Sequence, residues 1–299
     1  MEARQLRTFI TIVDLKSFTR AGRRLGLSQS AISQQLGGLE RELGVKLLVR
    51  AGAGARPTTS GETLVHYARQ ILHKMEEAQR VLADWESGGA GVLRIGAGGA
   101  VCHHLLPAVL KEFHERYPKL ELHVQSGHTR LTVERLLGGE LDIGVLTLPV
   151  SQPKLRITDL GRDELVAIVA QSHSWAERKR VHSADFDAEP LLIYERRSQT
   201  FHLIERVLLE AGVFPRIAME MDHMEAVTEM VRAGLGIAVV PRWAVRAEID
   251  SGSLVALPIG KSGLSRSWGL GMLEGDYRPQ ALKAFVRLCV DRLPAMLAM

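Results

Sequence analysis

"SQSAISQQLGGLERELG" (residues 28–44) decides how the N-terminal part of the chain is read. Ser28 suits an N-cap, because its hydroxyl can take up a free backbone N–H of the first helical turn. Ile32, Leu36, Leu39 and Leu43 follow at spacings of four, three and four, which places them in one apolar stripe along a helix. Gly44 suits the C-terminal cap. Outside the stripe lie Gln29, Ser30, Ser33, Gln34 and Gly37, a polar face that has no Lys or Arg before Arg41.

Upstream, Leu6, Phe9, Ile10 and Val13 share a face and predict a helix over 4–15. Ser17 is placed to cap a second helix that runs to Leu25, and Gly26-Leu27-Ser28 is a tight break. Two short helices joined by a three-residue turn, the second with a polar outer face, make a helix-turn-helix. Downstream, residues 45–49 and the segment around Arg56 read as two small strands, with "RAGAGARP" (50–57) as a wing. Residues 1–57 carry ten Lys and Arg against four Asp and Glu, a net +6 in a chain whose total is +4. The basic charge is therefore confined to this unit, which points to a polyanionic partner for it alone.

A long helix is expected over 58–87. Leu64, Ala68, Ile71, Met75, Ala78, Leu82 and Trp85 alternate spacings of four and three, the seam of a coiled coil, and they are flanked by charged residues such as Arg69, Lys74 and Arg80. The narrow seam favours pairing with a second copy over packing on the chain's own core. "SGGAG" (87–91) reads as a linker and domain boundary. Beyond it, short apolar strands alternate with helices: "VLRIG", "LELHV" and "LDIGVLT", then "ELVAIVA", "PLLIYE" and "GIAVVP", with a last helix at 280–292. That alternation predicts parallel sheets in two α/β lobes, with a ligand cleft between them.

Composition agrees with a folded, water-exposed protein: 46% of the 299 residues are apolar and 24% charged. Cys102 and Cys289 make no disulfide framework, which fits a reducing compartment. No signal peptide and no stretch approaching a membrane span is legible, so a cytoplasmic location is expected.

With these residues in place the chain resembles the LysR-type transcriptional regulators over essentially its whole length. The resemblance rests on "FTRAGRRLGLSQSAISQQLGGLERELGVKLLVR" and "PTTSGETLVHYARQIL", with support from "DIGV" and "VRAGLGIAVVP". It implies an α+β multidomain chain. A winged helix-turn-helix would occupy 1–57, a dimerising linker helix 58–87, a hinge 88–91 and an effector-binding domain 92–299. That last domain would resemble the periplasmic binding proteins, with lobe I at about 92–160 and 267–299 and lobe II at about 161–266. It also implies a bacterial, cytoplasmic homodimer or homotetramer. Such an assembly binds an interrupted inverted repeat in double-stranded DNA, responds to a small molecule and contacts RNA polymerase. Three departures stand out: Ser30 where the family often has proline, Leu48 where phenylalanine is common, and a Gly/Ala-rich wing.

Under this resemblance the helix after Ser28 reads DNA. Gln29 and Gln34 can bond adenine bidentately, and Ser28, Ser30 and Ser33 can serve base edges or phosphate. Arg20, Arg23, Arg24, Lys46, Arg50 and Arg56 flank the helix and can grip phosphate, with Thr58 and Thr59 adding bonds at the start of the linker helix. The family's effector cleft maps onto Gly98, Gly99, Ala100, Val101 and Cys102, then Ser126 and Thr129, then Thr147. The second lobe contributes Glu195, Ser198, Thr200 and Phe201, and Asp222 comes from a further strand end. Arg196, Arg197 and His128 are read as surface groups. No resident cofactor and no metal is expected. Cys102-His103-His104 is poorly spaced for chelation, Cys102 has no nearby resolving thiol, and "GAGGAV" lacks the third glycine of a dinucleotide fingerprint. A secreted solute-binding protein is disfavoured by the missing export signal. An enzyme is disfavoured by the absence of any nucleophile–base pair or phosphate loop.

Overall fold

The computed structural model describes residues 1–51, 54–87, 91–275 and 280–299; side chains at 50, 51, 77 and 79–87 lie outside the description. So do residues 88–90, and with them most of the expected hinge, as do the side chains of Arg50, Leu82 and Trp85. The chain forms two compact units, one of Met1–Ser87 together with Leu137–Glu140 and one of the remaining residues.

The first unit opens with α1 (Ala3–Leu15), α2 (Phe18–Leu25) and α3 (Gln29–Leu43). Ser17 caps α2 by accepting from Arg20 N at 3.3 Å, and Ser28 caps α3 by accepting from Ala31 N at 3.1 Å. The turn between them closes when Leu27 N donates to the Gly22 carbonyl at 2.9 Å and Gly26 takes the left-handed conformation at φ 66°. This close return requires glycine at position 22, where a Cβ would stand 2.7 Å from the Leu27 carbonyl oxygen. Ile32, Leu36 and Leu39 join Leu6, Phe9 and Ile12 in one core, as their spacing demands. Leu43 does not: it is 38% exposed, because α3 runs past the edge of that core before Gly44 stops it.

Strands β1 (Leu48–Ala51) and β2 (Gly54–Pro57) pair antiparallel as the wing, and α4 (Thr59–Ser87) follows. The expected seam of α4 divides between two faces. Ala68 is fully buried in the unit's own core with Leu72, whereas Tyr67, Ile71 and Met75 are exposed. A seven-residue spacing pattern cannot separate these faces where the helix packs on its own domain at one end.

The second unit contains β3 (Gly91–Ala97), α5 (Gly99–His104), α6 (Leu106–Arg116), β4 (Leu120–Ser126), α7 (Thr129–Leu137) and β5 (Ile143–Leu148). A long β6 (Leu155–Ala170) leads to β7 (Pro190–Tyr194), α8 (Gln199–Glu210), β8 (Arg216–Met221), α9 (Met224–Arg232) and β9 (Ile237–Pro241). Then come α10 (Arg246–Asp250), β10 (Leu254–Pro258), β11 (Leu264–Leu273) and α11 (Gln280–Leu297). Strands β3, β4 and β5 pair in parallel in one lobe, and β7, β8 and β9 do so in the other. The expectation of parallel sheets holds only for these two sets, because β6 pairs antiparallel with β9 and β10, and β11 with β5. The strand order β4-β3-β5-β11-β6-β9-β7-β8 is continuous, because antiparallel β6 and β11 run through both lobes. Their register shifts between Trp268 and Gly269, opposite Gly161 and Asp159, so the sheet is irregular where one lobe gives way to the other.

Candidate functional site

On the first unit, Gln29, Ser30 and Gln34 are exposed on one side of α3, while Ser33 is half-buried. Two hydroxyls assigned to DNA are already occupied. Ser28 Oγ serves as the α3 cap and lies 2.8 Å from Ser30 Oγ. Thr58 Oγ1 donates its single proton to the Lys46 carbonyl at 2.7 Å and accepts from Gly61 N at 3.0 Å, so it ties the segment just before β1 to the start of α4. Thr58 is thus a helix cap, which corrects its assignment as a phosphate donor; the neighbouring Thr59 is the exposed threonine. Arg20, Arg23, Arg24, Lys46 and Arg56 are all exposed around α3. Arg20 leans back to hydrogen-bond the Leu15 carbonyl. Arg50 lies outside the described side chains.

The residue that reasoning from sequence missed here is Glu40. It is 7% exposed, faces the wing from α3, and accepts from Leu47 N at 2.9 Å and from Lys46 Nζ at 2.6 Å. Burial pushes its carboxyl up, but the Lys46 ammonium and the Leu47 and Leu48 N–H groups together hold it below the usual carboxylate value. Its only signal in the sequence was a charge placed next to the apolar stripe.

On the second unit, a cleft of about 790 Å³, its open mouth included, lies between the lobes. The N-terminal turn of α5 supplies Gly98, Gly99, Ala100 and Val101, α7 supplies Thr129, and β5 supplies Thr147. Opposite them stand Glu195, Ser198, Thr200 and Phe201 at the start of α8. Three assigned residues are not in the lining. Cys102 turns toward the Ala97 carbonyl and the lobe core, where burial raises its thiol pKa. Ser126 and Asp222 are exposed and not part of the lining, though the Ser126 hydroxyl lies near Gly99 at its edge.

Several lining residues had no signal in their local sequence. Tyr194 reaches across from β7, and its hydroxyl approaches Gly99 of the other lobe; burial raises its pKa, aided by the adjacent Glu195 carboxylate. His128, read as a surface group, lines the cleft and accepts from Leu131 N on Nδ1 at 3.1 Å. Arg266 and Trp268 come from β11. Arg266 is buried and forks onto Asp163, with Nη2 to Oδ2 at 2.9 Å and Nε to Oδ1 at 3.0 Å. It also bonds Thr200 Oγ1, and its guanidinium stacks 4.5 Å from the Trp268 ring centroid. Trp243 Nε1 gives Asp163 a further bond at 2.8 Å. One buried ion pair therefore links β6, β11 and α8 beside the change of register.

Glu195 adopts φ 50°, a left-handed conformation that costs a non-glycine residue about 1–2 kcal/mol. Backbone strain concentrates where function overrides stability. Glu195→Gly is expected to raise the stability of this unit by up to about 1 kcal/mol, glycine's own entropy cost offsetting part of the gain. A thermal melt that shows a loss above about 1 kcal/mol would contradict the strain argument.

What this arrangement offers chemically is recognition. A capped, polar-faced helix with flanking cations is paired in one chain with a cleft lined mainly by Val101, Val145, Phe201, Ile204, Met224 and Trp268. His103 and His104 both approach Glu225, at 3.3 and 3.8 Å, and no cluster of three ligand-type side chains suited to a metal occurs among the described residues. No described helix is long and apolar enough to cross a membrane. Comparison with known proteins agrees with the two-part division. Residues 3–62 match the bacterial regulatory helix-turn-helix protein family of lysR type, and residues 86–294 match the LysR substrate binding domain. A probable RuBisCO transcriptional regulator of Thalassiosira pseudonana is 31% identical over 289 residues, covering 94% of both chains. The uncharacterised regulator YwqM of Bacillus subtilis is 31% identical over 262 residues, 86% of this chain and 88% of that one. Full-length CbnR in complex with its target DNA superposes with a TM-score of 0.70 at 25% identity, covering 98% of this chain and all of that one. The fold is shared with full-length OxyR of Pseudomonas aeruginosa at a TM-score of 0.75 and 22% identity, over 98% and 94% of the two chains. A DNA-binding helix-turn-helix on an effector-binding domain is the build of a transcriptional regulator rather than an enzyme, and the chain belongs to the LysR family.

Proposed function

We propose that this regulator reads DNA with the outer face of α3 and is switched by a small molecule held between the lobes of its second unit. The observation that supports the first part most directly is the separation of roles around α3. Exposed Gln29, Ser30 and Gln34 present donors and acceptors suited to base edges, and exposed Arg20, Arg24 and Arg56 present charge suited to phosphate. The target would be an interrupted inverted repeat bound by a homodimer or homotetramer. An exposed row of Tyr67, Ile71 and Met75 on α4 supports pairing through that helix. Contact with RNA polymerase and residence in the cytoplasm belong to the same reading, as does the lack of a resident cofactor.

The switch would be a change in lobe closure that alters the geometry of the assembly on DNA. Such a change requires the effector to prefer one state of the lobes over the other. Tyr194 of one lobe and Gly99 of the other face each other across the cleft, so a change in closure would alter their separation.

The DNA half is tested by titrating the full chain onto the promoter fragment upstream of its own gene and onto a scrambled fragment, at several salt concentrations. Gln34→Ala is expected to reduce discrimination between the two by about 1–3 kcal/mol. Arg56→Ala is expected to weaken both alike and to reduce the salt slope by about one counterion. Wild-type affinity and selectivity in both variants would remove α3 and the wing from the interface.

A further inference from the structure

The outer side of α3 repeats the spacing of its buried stripe. Ser30, Gln34, Gly37 and Arg41 follow one another at four, three and four residues, so they form one row opposite Ile32, Leu36 and Leu39. Within that row, Gly37 is a glycine that the fold does not need. It is not in the left-handed conformation, and a Cβ added to it would meet nothing within 4 Å. Gly22 differs, because there a Cβ would collide with the Leu27 carbonyl. Alanine would fit at position 37 and would make the better helix, since only proline is a weaker helix former than glycine. A glycine without an internal reason, on the outer row of a helix, suits the close approach of a ligand to the backbone.

Arg41, one turn further on, is exposed and turns back along the helix: its Nε donates to the Gly37 carbonyl at 3.1 Å. That bond uses one of the five guanidinium donors and leaves the fork of Nη1 and Nη2 open. Arg41 has no ion-pair partner among the described residues. The adjacent carboxylates are engaged elsewhere, Glu40 by Lys46 and Glu42 by the N-terminal ammonium. A planar fork with two open N–H groups matches two oxygens of one phosphate. Length decides between phosphate and base. Arg41 lies twelve residues beyond Gln29. At ~1.5 Å per residue that is about 18 Å along the axis, more than the roughly 12 Å width of the major groove. With the first turns of α3 against base edges, its last turn stands at the rim of the groove, where the backbone runs.

We propose that Gly37 and Arg41 form a phosphate-binding step on α3: the DNA backbone passes against Gly37, and Arg41, pinned through Nε, grips one phosphate with Nη1 and Nη2. This rests on the reading of α3 as the helix that meets DNA. It also gives that helix the cation that its earlier turns lack.

The test titrates the full chain onto the promoter and scrambled fragments at several salt concentrations, and onto promoter fragments that carry one neutral methylphosphonate at successive positions. Arg41→Ala, Arg41→Lys and Gly37→Ala are compared with wild type, and Gln34→Ala serves as the control for reading by α3. Circular dichroism melts confirm that each variant is folded. Arg41→Ala is expected to weaken both fragments alike, by about five- to tenfold, and to lower the salt slope by about one. Among the methylphosphonates that weaken wild type, one position per half-site is expected to leave Arg41→Ala unaffected, because the two changes remove the same contact. Arg41→Lys keeps the charge without the fork and should recover only part of the loss. Gly37→Ala is expected to melt at a higher temperature and yet to bind DNA about threefold or more weakly.

Wild-type binding by Gly37→Ala overturns the close approach, and full recovery in Arg41→Lys overturns the fork. Altered selectivity in Arg41→Ala, or sensitivity of that variant to every methylphosphonate that affects wild type, overturns the phosphate contact. In each of these cases a loss of discrimination in Gln34→Ala leaves α3 as the reading helix. Wild-type behaviour in Gln34→Ala, Gly37→Ala and Arg41→Ala together overturns the reading of α3 itself.

Discussion

Asp163→Ala should destabilise the second unit by about 3–5 kcal/mol, the cost of leaving a buried guanidinium without its counter-charge. Arg266 forks onto both Asp163 oxygens, and Trp243 Nε1 depends on the same carboxylate. The Asp163 side chain is fully buried and that of Arg266 only 6% exposed, so water cannot replace what is removed. Asp163→Asn keeps an acceptor for Trp243 but not the charge, and should fall between wild type and Asp163→Ala. The double variant Asp163→Ala with Arg266→Met removes the stranded charge and should recover part of the loss, since apolar replacement of a buried ion pair is often tolerated. Urea denaturation followed by tryptophan fluorescence measures all three. A loss below about 1 kcal/mol for Asp163→Ala would mean that the pair is not a structural link.

That ion pair also shows where reading the sequence stops. Asp163 and Arg266 are 103 residues apart and meet only because β6 and β11 pair antiparallel through both lobes. Neither strand advertises its length. "ELVAIVA" marks the buried end of β6, but the first half, "LRITDLGRD", mixes charges that suggest a loop, and β11 begins "LSRS". Long-range pairing has no local signature, so Arg266, Trp268 and Tyr194 could not be assigned to the cleft.

The helix-turn-helix was legible because its determinants are local. Two serine caps, a glycine turn and a stripe spaced for one helix face lie within 28 residues of chain, from Ser17 to Gly44. The same locality explains the errors there. Spacing alone carried the stripe on to Leu43, where the core has already ended. It could not tell that the Thr58 hydroxyl was needed inside the domain, nor that Ala68 turns inward while Ile71 turns out. For the cleft, the family resemblance pointed to loops that border it, and most of the assigned residues line it. Cys102, Ser126 and Asp222 fell outside because a loop's position does not specify the direction of each side chain in it.

Glu40→Ala is expected to cost the first unit about 2–4 kcal/mol, from two backbone N–H groups left buried and unpaired. The carboxylate is the joint between α3 and the wing. It receives Leu47 N at 2.9 Å, Leu48 N at 3.4 Å and Lys46 Nζ at 2.6 Å, and the Lys46 and Leu47 carbonyls in turn hold Thr58. Glu40→Gln keeps an acceptor and should lose about half as much. The contribution also depends on pH. The folded state lowers the Glu40 pKa, net of a burial effect that raises it, through Lys46 and the two N–H groups. The unfolded state therefore binds the proton more readily. The stability is fully present above the unfolded value near 4.5 and is lost as pH falls through the lower folded value. Urea melts at pH 7 and at pH 3.5 should show the advantage of wild type over Glu40→Gln shrinking at the acid end. Because Glu40 is buried and holds the Lys46 ammonium, Glu40→Ala should weaken DNA binding on specific and scrambled fragments by the same factor. A change in selectivity with unchanged stability would instead place Glu40 in the reading of sequence.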